Sequence, residues 1–215
     1  MLIHPWDASL DDAEWQTWIA DGHDFGHLCV NGLPGEAPAV VPTHFATDGK
    51  DLLIHLARPN PVWKAIEHDP NVTFGVTGDY AFIPGTWRAN PDVPPTDGVP
   101  TSYYAAVQFT CRAHILDDPE AKAALLRRQL SHFQPDGDHA PVEADRPPYG
   151  RLLSGIRGLR LEVLEVRAKF KYDNQKPTEL RTTVAEHLTE RGRGLDAPTA
   201  RQQLRRLDRM GPWKA

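Results

Sequence analysis

Four consecutive pieces decide how this chain is read: Val41-Pro42-Thr43-His44-Phe45, the turn Asp48-Gly49, the run Asp51-Leu52-Leu53-Ile54-His55-Leu56-Ala57, and Arg58-Pro59-Asn60-Pro61-Val62-Trp63-Lys64. Asp-Gly between apolar runs is a strong hairpin signal, because Gly accepts the positive φ of a tight turn without steric cost. The spacing predicts strands over residues 39–45 and 51–57. In the second, Leu52, Ile54 and Leu56 alternate with Leu53, His55 and Ala57, the period of two that puts neighbours on opposite faces. Asn60-Pro61 then opens a short helix over residues 62–68. Asn caps it, and Pro takes the first helical position, where the missing N–H costs nothing.

Working outward, a helix is expected from Ser9, as N-cap, to residue 20. Acids fill its first turn, and Leu10, Trp15, Trp18 and Ile19 share one side. Gly22 stops it. Further strands are expected over 25–30, 72–77, 80–83, 102–116 and 156–166. Asp118-Pro119 starts a helix that runs to about residue 131. Residues 84–100 hold five prolines and two glycines, and a connection of that length is usually functional or mobile. The end of the chain reads as two helices, 178–191 and one beginning at Asp196, the latter with a thin stripe of Leu204, Leu207 and Met210. Six or seven strands on short turns, with helices at the start, middle and end, predict an antiparallel barrel decorated by helices. Closure would remove sheet edges that invite aggregation.

Composition prunes the alternatives. Among 215 residues, 40% are hydrophobic and 25% charged, which excludes collagen-like, low-complexity and coiled-coil chains. No apolar run approaches the roughly 18 residues of a membrane helix, and the first residues lack an export signal. The expectation is a cytoplasmic protein without a membrane partner. Two cysteines, Cys29 and Cys111, exclude a disulfide framework and a four-cysteine zinc site. Net charge is −5, yet residues 176–215 carry nine Lys and Arg against five Asp and Glu. Such a basic tail on an acidic body reads either as a nucleic-acid contact or as a solvated helical face.

Neither glycine-rich phosphate loop is present, and Ser154 lacks the glycine that precedes a nucleophile elbow. His23 and His27 would suit a metal only on a helix, which Gly22 and Gly26 argue against, so no metal is expected. No catalytic residue is assigned. The informative element is the strand end at His55–Lys64. A helix start there exposes backbone N–H groups and a positive dipole end, and Arg58 and Lys64 flank it, a set that fits a phosphate. A capped helix with two surface cations reads the same residues equally well. Tyr80, Phe82, Trp87, Tyr103 and Tyr104 cluster around the long connection. They are either barrel core or a wall for a planar heterocycle, and phosphate anchor plus aromatic wall fits a phosphorylated planar cofactor.

Several pieces carry a family resemblance: Pro42-Thr43-His44, His55-Leu56-Ala57-Arg58 with Asn60-Pro61-Val62-Trp63, and Gly78-Asp79-Tyr80-Ala81-Phe82-Ile83-Pro84 with Trp87. Val99-Pro100-Thr101 with Tyr104, Gly158, and Ala168-Lys169-Phe170-Lys171 follow in the same order. The chain resembles the PaiB-like branch of the FMN-binding split-barrel superfamily, relatives of pyridoxamine phosphate oxidases. That resemblance implies a mainly β fold with helices, a six-stranded antiparallel split barrel over residues 1–175. A helical tail over 176–215 would pack on the barrel or on a dimer partner. It also implies a homodimer with FMN at the subunit interface. Thr43, His44, His55, Ala57, Arg58, Asn60, Trp63 and Lys64 would hold the phosphate and ribityl chain. Trp87, Thr101 and Tyr103 would approach the ring, Lys171 and Gln175 would also contact the cofactor, and the tail would reach DNA or a regulatory protein.

Two departures stand out. Ser102 replaces the tryptophan usual after Pro-Thr, and Tyr172-Asp173 replaces a segment that holds serine. A carboxylate at Asp173 would repel a phosphate unless it turned away. The resemblance implies a negative transcriptional regulator. A flavin-dependent oxidoreductase and a ligand-free dimeric scaffold use the same framework.

Overall fold

The computed structural model describes residues 1–90 and 92–210. Residue 91 of the proline-rich connection and residues 211–215 of the tail lie outside the described residues. Seven strands form one sheet: β1 (Phe25–Val30), β2 (Ala39–His44), β3 (Ala46–Asp48), β4 (Asp51–Ala57), β5 (Asn71–Ile83), β6 (Thr101–Leu116) and β7 (Ile156–Lys171). Their order is β2-β1-β5-β6-β7-β4-β3. The described helices include α1 (Asp12–Ala20), α2 (Val62–His68), α3 (Pro119–Phe133), α4 (Tyr149–Leu152), α5 (Thr178–Arg191) and α6 (Asp196–Met210). The chain divides into two compact units. The first takes Met1–His23, Thr77–Val107 and the chain from Arg167 on, and the second takes Asp24–Val76 and Gln108–Val166.

Seven strands lie within the six or seven that the sequence predicts and are one more than the family resemblance implies; the strand expected over 39–45, however, is split at Phe45. The Asp48-Gly49 turn does form a hairpin, but its partners are the three-residue β3 and β4, with Thr47 opposite Leu52. β2 instead pairs with β1, His44 opposite Phe25. One residue, Phe45, therefore joins two strands that stand at opposite ends of the sheet order. A sheet whose two edges are joined by one residue must curl on itself, as a barrel does. Phe45 anchors that corner: its N–H donates to Asp24 O at 2.9 Å, and its buried ring meets Phe74 edge-on at 5.0 Å. In a sequence window the apolar Phe45 simply continues the strand, so the break is invisible there.

A second correction concerns β5, expected as two strands and found as one. Buried positions run Val72, Phe74, Val76, then Asp79, Ala81, Ile83. The alternation slips by one residue at Gly78-Asp79, where Asp79 takes φ +47°. An extra residue with left-handed geometry is the signature of a bulge, which bends a strand without ending it. The N-cap of α1 is Asp11, not Ser9, because the Asp11 carboxylate accepts the Glu14 N–H at 2.9 Å. Leu10 consequently stays exposed outside the helix.

In the second unit, Leu28, Leu52, Ile54, Phe74 and Leu161 are fully buried. A smaller cluster of Ala123, Val142 and Leu153 packs under α3 with Leu126 and Tyr149 around it. Each large side chain removed from water adds about 1.5–3 kcal/mol. In the first unit, Trp18, Phe170, Val184 and Leu188 are buried. There the salt bridge of Arg206 with Glu14, side chains 0% and 4% exposed, joins α6 to α1. Arg205–Asp21 and Arg209–Asp11 continue the seam.

Candidate functional site

Within the second unit, the end of β2 and the middle of β4 bring two histidines together. His44 and His55 lie edge to face, ring centres 5.5 Å apart, and His44 also meets Phe133 at 5.0 Å. Burial, helped by the neighbouring His55, holds His44 below the ordinary imidazole range. His55 Nδ1 stands 2.7 Å from Gln129 Oε1, while Gln129 Nε2 donates to Leu53 O at 3.1 Å. The Leu53 carbonyl fixes which way the Gln129 amide faces. It therefore makes His55 Nδ1 the donor of that bond, and Nε2 has no hydrogen bond among the described residues. Gln129 is absent from any sequence reading, since it sits 74 residues away on α3 with no motif to mark it. Thr43 is buried and donates its hydroxyl to His44 O.

The start of α2 corrects the expectation of an open anion cradle. Asn60 Oδ1 accepts the Val62 N–H at 3.1 Å, Asn60 O accepts the Trp63 N–H, and Pro61 has no N–H to offer. The first two amides of the helix are therefore satisfied by the chain itself. Trp63 is 4% exposed. It donates Nε1 to Ala57 O at 2.9 Å and lies under the Arg157 guanidinium, so it braces the corner. Arg58 is strapped from one side: Nε donates to Ser154 O at 2.7 Å, and Nη2 reaches Asp117 and Ile156 O at 3.4 Å. Its side chain remains 46% exposed, and Nη1 has no partner among the described residues. Lys64 is exposed, with no ion pair among the described residues. A guanidinium edge and an ammonium are the donor types that suit a phosphate monoester.

Within the first unit, the remaining expected residues are largely occupied. Tyr103 is fully buried and donates its hydroxyl to Asp173 at 3.0 Å. Burial and the Asp173 charge push that phenol well above its ordinary value. Trp87 stacks on His187 at 4.9 Å and lies under Arg191. Lys171 Nζ donates to Thr101 Oγ1 at 2.7 Å and to Ser102 O at 3.0 Å. Gln175 is exposed on a turn. Asp173 is turned inward, 5% exposed and clasped by Arg88, so its charge is answered inside the protein. Arg88 carried no sequence signal, because it lies in the irregular connection.

Cys29 and Cys111 are both free thiols. Among the described residues, no group of three or more His, Cys, Asp or Glu could hold a metal ion, and no helix is long and apolar enough to cross a membrane.

A curled antiparallel sheet flanked by helices defines the split-barrel class. The flavocytochrome Anf3 from Azotobacter vinelandii shares this fold, with a TM-score of 0.61 at 21% identity over 81% of this chain and 74% of that one. So does a FAD and heme binding protein from Mycobacterium smegmatis, with a TM-score of 0.58 at 16% identity, covering 81% and 78% of the two chains. The family model described as "Putative FMN-binding domain" matches residues 1–165. The chain belongs to that FMN-binding family, and its cofactor is FMN. It is also 26% identical over 158 residues to the "Protease synthase and sporulation protein PAI 2" of Bacillus subtilis (strain 168), covering 72% of this chain and 70% of the relative.

Proposed function

We propose that this protein is a PaiB-like regulator that binds FMN as a homodimer, with the phosphate end held in the second unit by Arg58 and Lys64. The carrying observation is the pair of uncommitted cationic groups, Arg58 Nη1 and Lys64 Nζ, beside the element His55-Leu56-Ala57-Arg58 that marks the family. Thr43 and His44 at the end of β2 and His55 on β4 stand nearby, with His55 Nε2 left free for a ribityl hydroxyl. When bound, FMN supplies an isoalloxazine ring able to take up one or two electrons. The chain's own part is to fix the phosphate and to present the ring edge of His55 that Gln129 leaves free. Tyr103 is buried and Trp87 is covered by His187 and Arg191, so neither is included in the proposed contact.

The regulatory half of the reading draws on the likeness to the PAI 2 protein. The basic tail supports an action through a protein partner better than a direct grip on DNA. Of its nine cations, Arg181 and Arg206 are buried, and Arg191, Arg205 and Arg209 are paired with Asp196, Asp21 and Asp11. Among the described residues that leaves Lys176, Arg193 and Arg201, fewer than half of the nine, for a phosphate backbone. The test is a visible spectrum of the purified chain after incubation with FMN, followed by size-exclusion chromatography. A flavin band co-eluting with a dimer supports the reading, and a colourless monomer defeats it. A gel shift at low salt that fades steeply as salt rises would restore direct DNA contact.

A further inference from the structure

The Gly78-Asp79 bulge belongs to the family element, yet nothing in the flavin reading uses it. It forms the floor of a cleft in the first unit. Trp18 Nε1 donates to Asp79 Oδ2 at 2.6 Å, and His23 Nε2 lies 3.3 Å from Asp79 Oδ1. His23 also stacks on the Trp18 ring, centres 3.8 Å apart, with Nδ1 at 2.6 Å from Trp18 O. Gly78 makes this possible: a Cβ there would stand 2.7 Å from His23 Cδ2 and 3.1 Å from Trp18 Cζ2. Above the floor, α6 contributes Arg201, Gln202 and Arg205, and Asp21 closes the side. The cavity measures about 270 Å3, far more than the ~15 Å3 that one water needs.

Its charges do not cancel. Asp21 is answered by Arg205, and Asp79 by the Trp18 N–H and by His23. Arg201 is exposed, with no hydrogen bond or ion pair among the described residues, although it adds to the positive field on Asp79. Gln202, 5% exposed as a residue, lines the same wall, and its amide has no hydrogen bond among the described residues. Uncommitted donors thus outnumber uncommitted acceptors, and a guanidinium fork fits a planar or tetrahedral oxyanion.

We propose that this cleft binds a small acid through a carboxylate or phosphate oxyanion, held by Arg201 with Gln202 and Arg205, on the floor made by Trp18, His23 and Asp79. The site goes beyond the flavin reading and shares no residue with it. An acid bound here would tie α1, the β5 bulge and α6 together, which is how an effector reaches a regulator.

The experiment is calorimetric titration of the FMN-loaded full chain with inorganic phosphate and, separately, with citrate, in the wild type and in Arg201→Gln. At least one probe should bind, and the variant should weaken it by about tenfold or more, since a charge-assisted hydrogen bond is lost. Phosphate alone binding identifies a phosphorylated ligand, and citrate alone a carboxylic acid. The flavin band should be unchanged in the variant. Binding of neither probe by the wild type, or equal binding by the variant, overturns the proposal. If the chain takes up no flavin, the flavin reading fails by itself, and the same pair of titrations on the flavin-free chain still decides this site.

Discussion

Arg88 clasps Asp173 through two bonds, Nε to Oδ2 at 2.6 Å and Nη2 to Oδ1 at 3.0 Å. The side chains are 14% and 5% exposed, and the Tyr103 hydroxyl completes the carboxylate's shell. The pair pins the irregular connection of the first unit to the end of β7. Burial draws the Arg88 pKa down, but the bonds and charge of Asp173 outweigh it and leave it raised. Removing one partner strands the other's charge in a nearly dry setting, which costs about 3–5 kcal/mol. Asp173 sits at φ +52°, a conformation that Asn tolerates as well as Asp. Asp173→Asn therefore tests the charge and leaves the backbone alone. The expected outcome is a large drop in the free energy of urea unfolding, and a drop below about 1 kcal/mol would show the pair to be incidental.

Arg58 and Lys64 should separate under mutation. Lys64 has no structural partner among the described residues, so Lys64→Gln should keep the melting temperature within about a degree or two, as exposed substitutions do. Its FMN affinity should fall by about tenfold through one lost charge-assisted bond. Arg58→Gln should lose both, because Arg58 also ties Ser154 O and Ile156 O. Fluorescence titration of free FMN, beside thermal melts, checks the pair. Equal FMN affinity in wild type and Lys64→Gln would remove Lys64 from the phosphate site.

The strands were legible wherever local pattern governs. Phe25–Val30 and Asp51–Ala57 carry period two or dense apolar content and end at turn residues, and they stand where the sequence puts them. The same holds for α5, which Gly192 closes in the left-handed conformation at φ +56°. What escaped was set by partners far along the chain. Whether β2 pairs with β1 or β4 depends on where Phe45 finds its cavity, and Phe74 is 29 residues away. The candidate site divided in the same manner. Arg58 and Lys64 follow from residue type next to a strand end, whereas Gln129, which accepts from His55 Nδ1, belongs to a helix whose docking no window of sequence contains. Tyr103 misled for a related reason: alternation marks which face a strand residue takes, not whether that face is core or pocket.

The base of the connection between β5 and β6 rests on two glycines. A Cβ at Gly98 would run into the carbonyl oxygen of Gly85, and a Cβ at Gly85 into that of Gly98. Both obstacles are backbone, so no rotamer change relieves them. Gly98→Ala should destabilise by about 1–3 kcal/mol, as overpacking does. The first sign should be faster proteolysis within residues 84–100. A control at Gly155, where a Cβ meets nothing within 4 Å, should leave both stability and proteolysis unchanged. Matching behaviour of the two variants would dismiss the glycine contact as a constraint.

His23 and Asp79 give the first unit a pH window. Burial pulls the His23 imidazole down, but the bond and charge from Asp79 outweigh it, and its pKa ends above the ordinary 6.5. Burial likewise raises Asp79, yet the bonds from His23 and Trp18 carry it below the ordinary 3.8. A raised histidine contributes stability that is complete below 6.5 and is lost as pH climbs through its folded pKa. A lowered carboxylate contributes stability that is complete above 3.8 and is lost as pH falls through its folded pKa. The pair is therefore fully stabilising between about pH 4 and 6.5 and weakens on the alkaline side once His23 deprotonates. Other groups face it: Asp21 at the C-terminal cap of α1, and Arg201 and Arg205 from α6, of which Arg205 is bound to Asp21. His44, in the second unit, is drawn below the ordinary imidazole range by burial and works in the opposite sense, so the readout must be a difference between variants. Urea midpoints at pH 6 and pH 8 should fall more in the wild type than in His23→Gln, whose side chain does not titrate. Parallel declines would show that the His23–Asp79 bond does not carry the pH dependence.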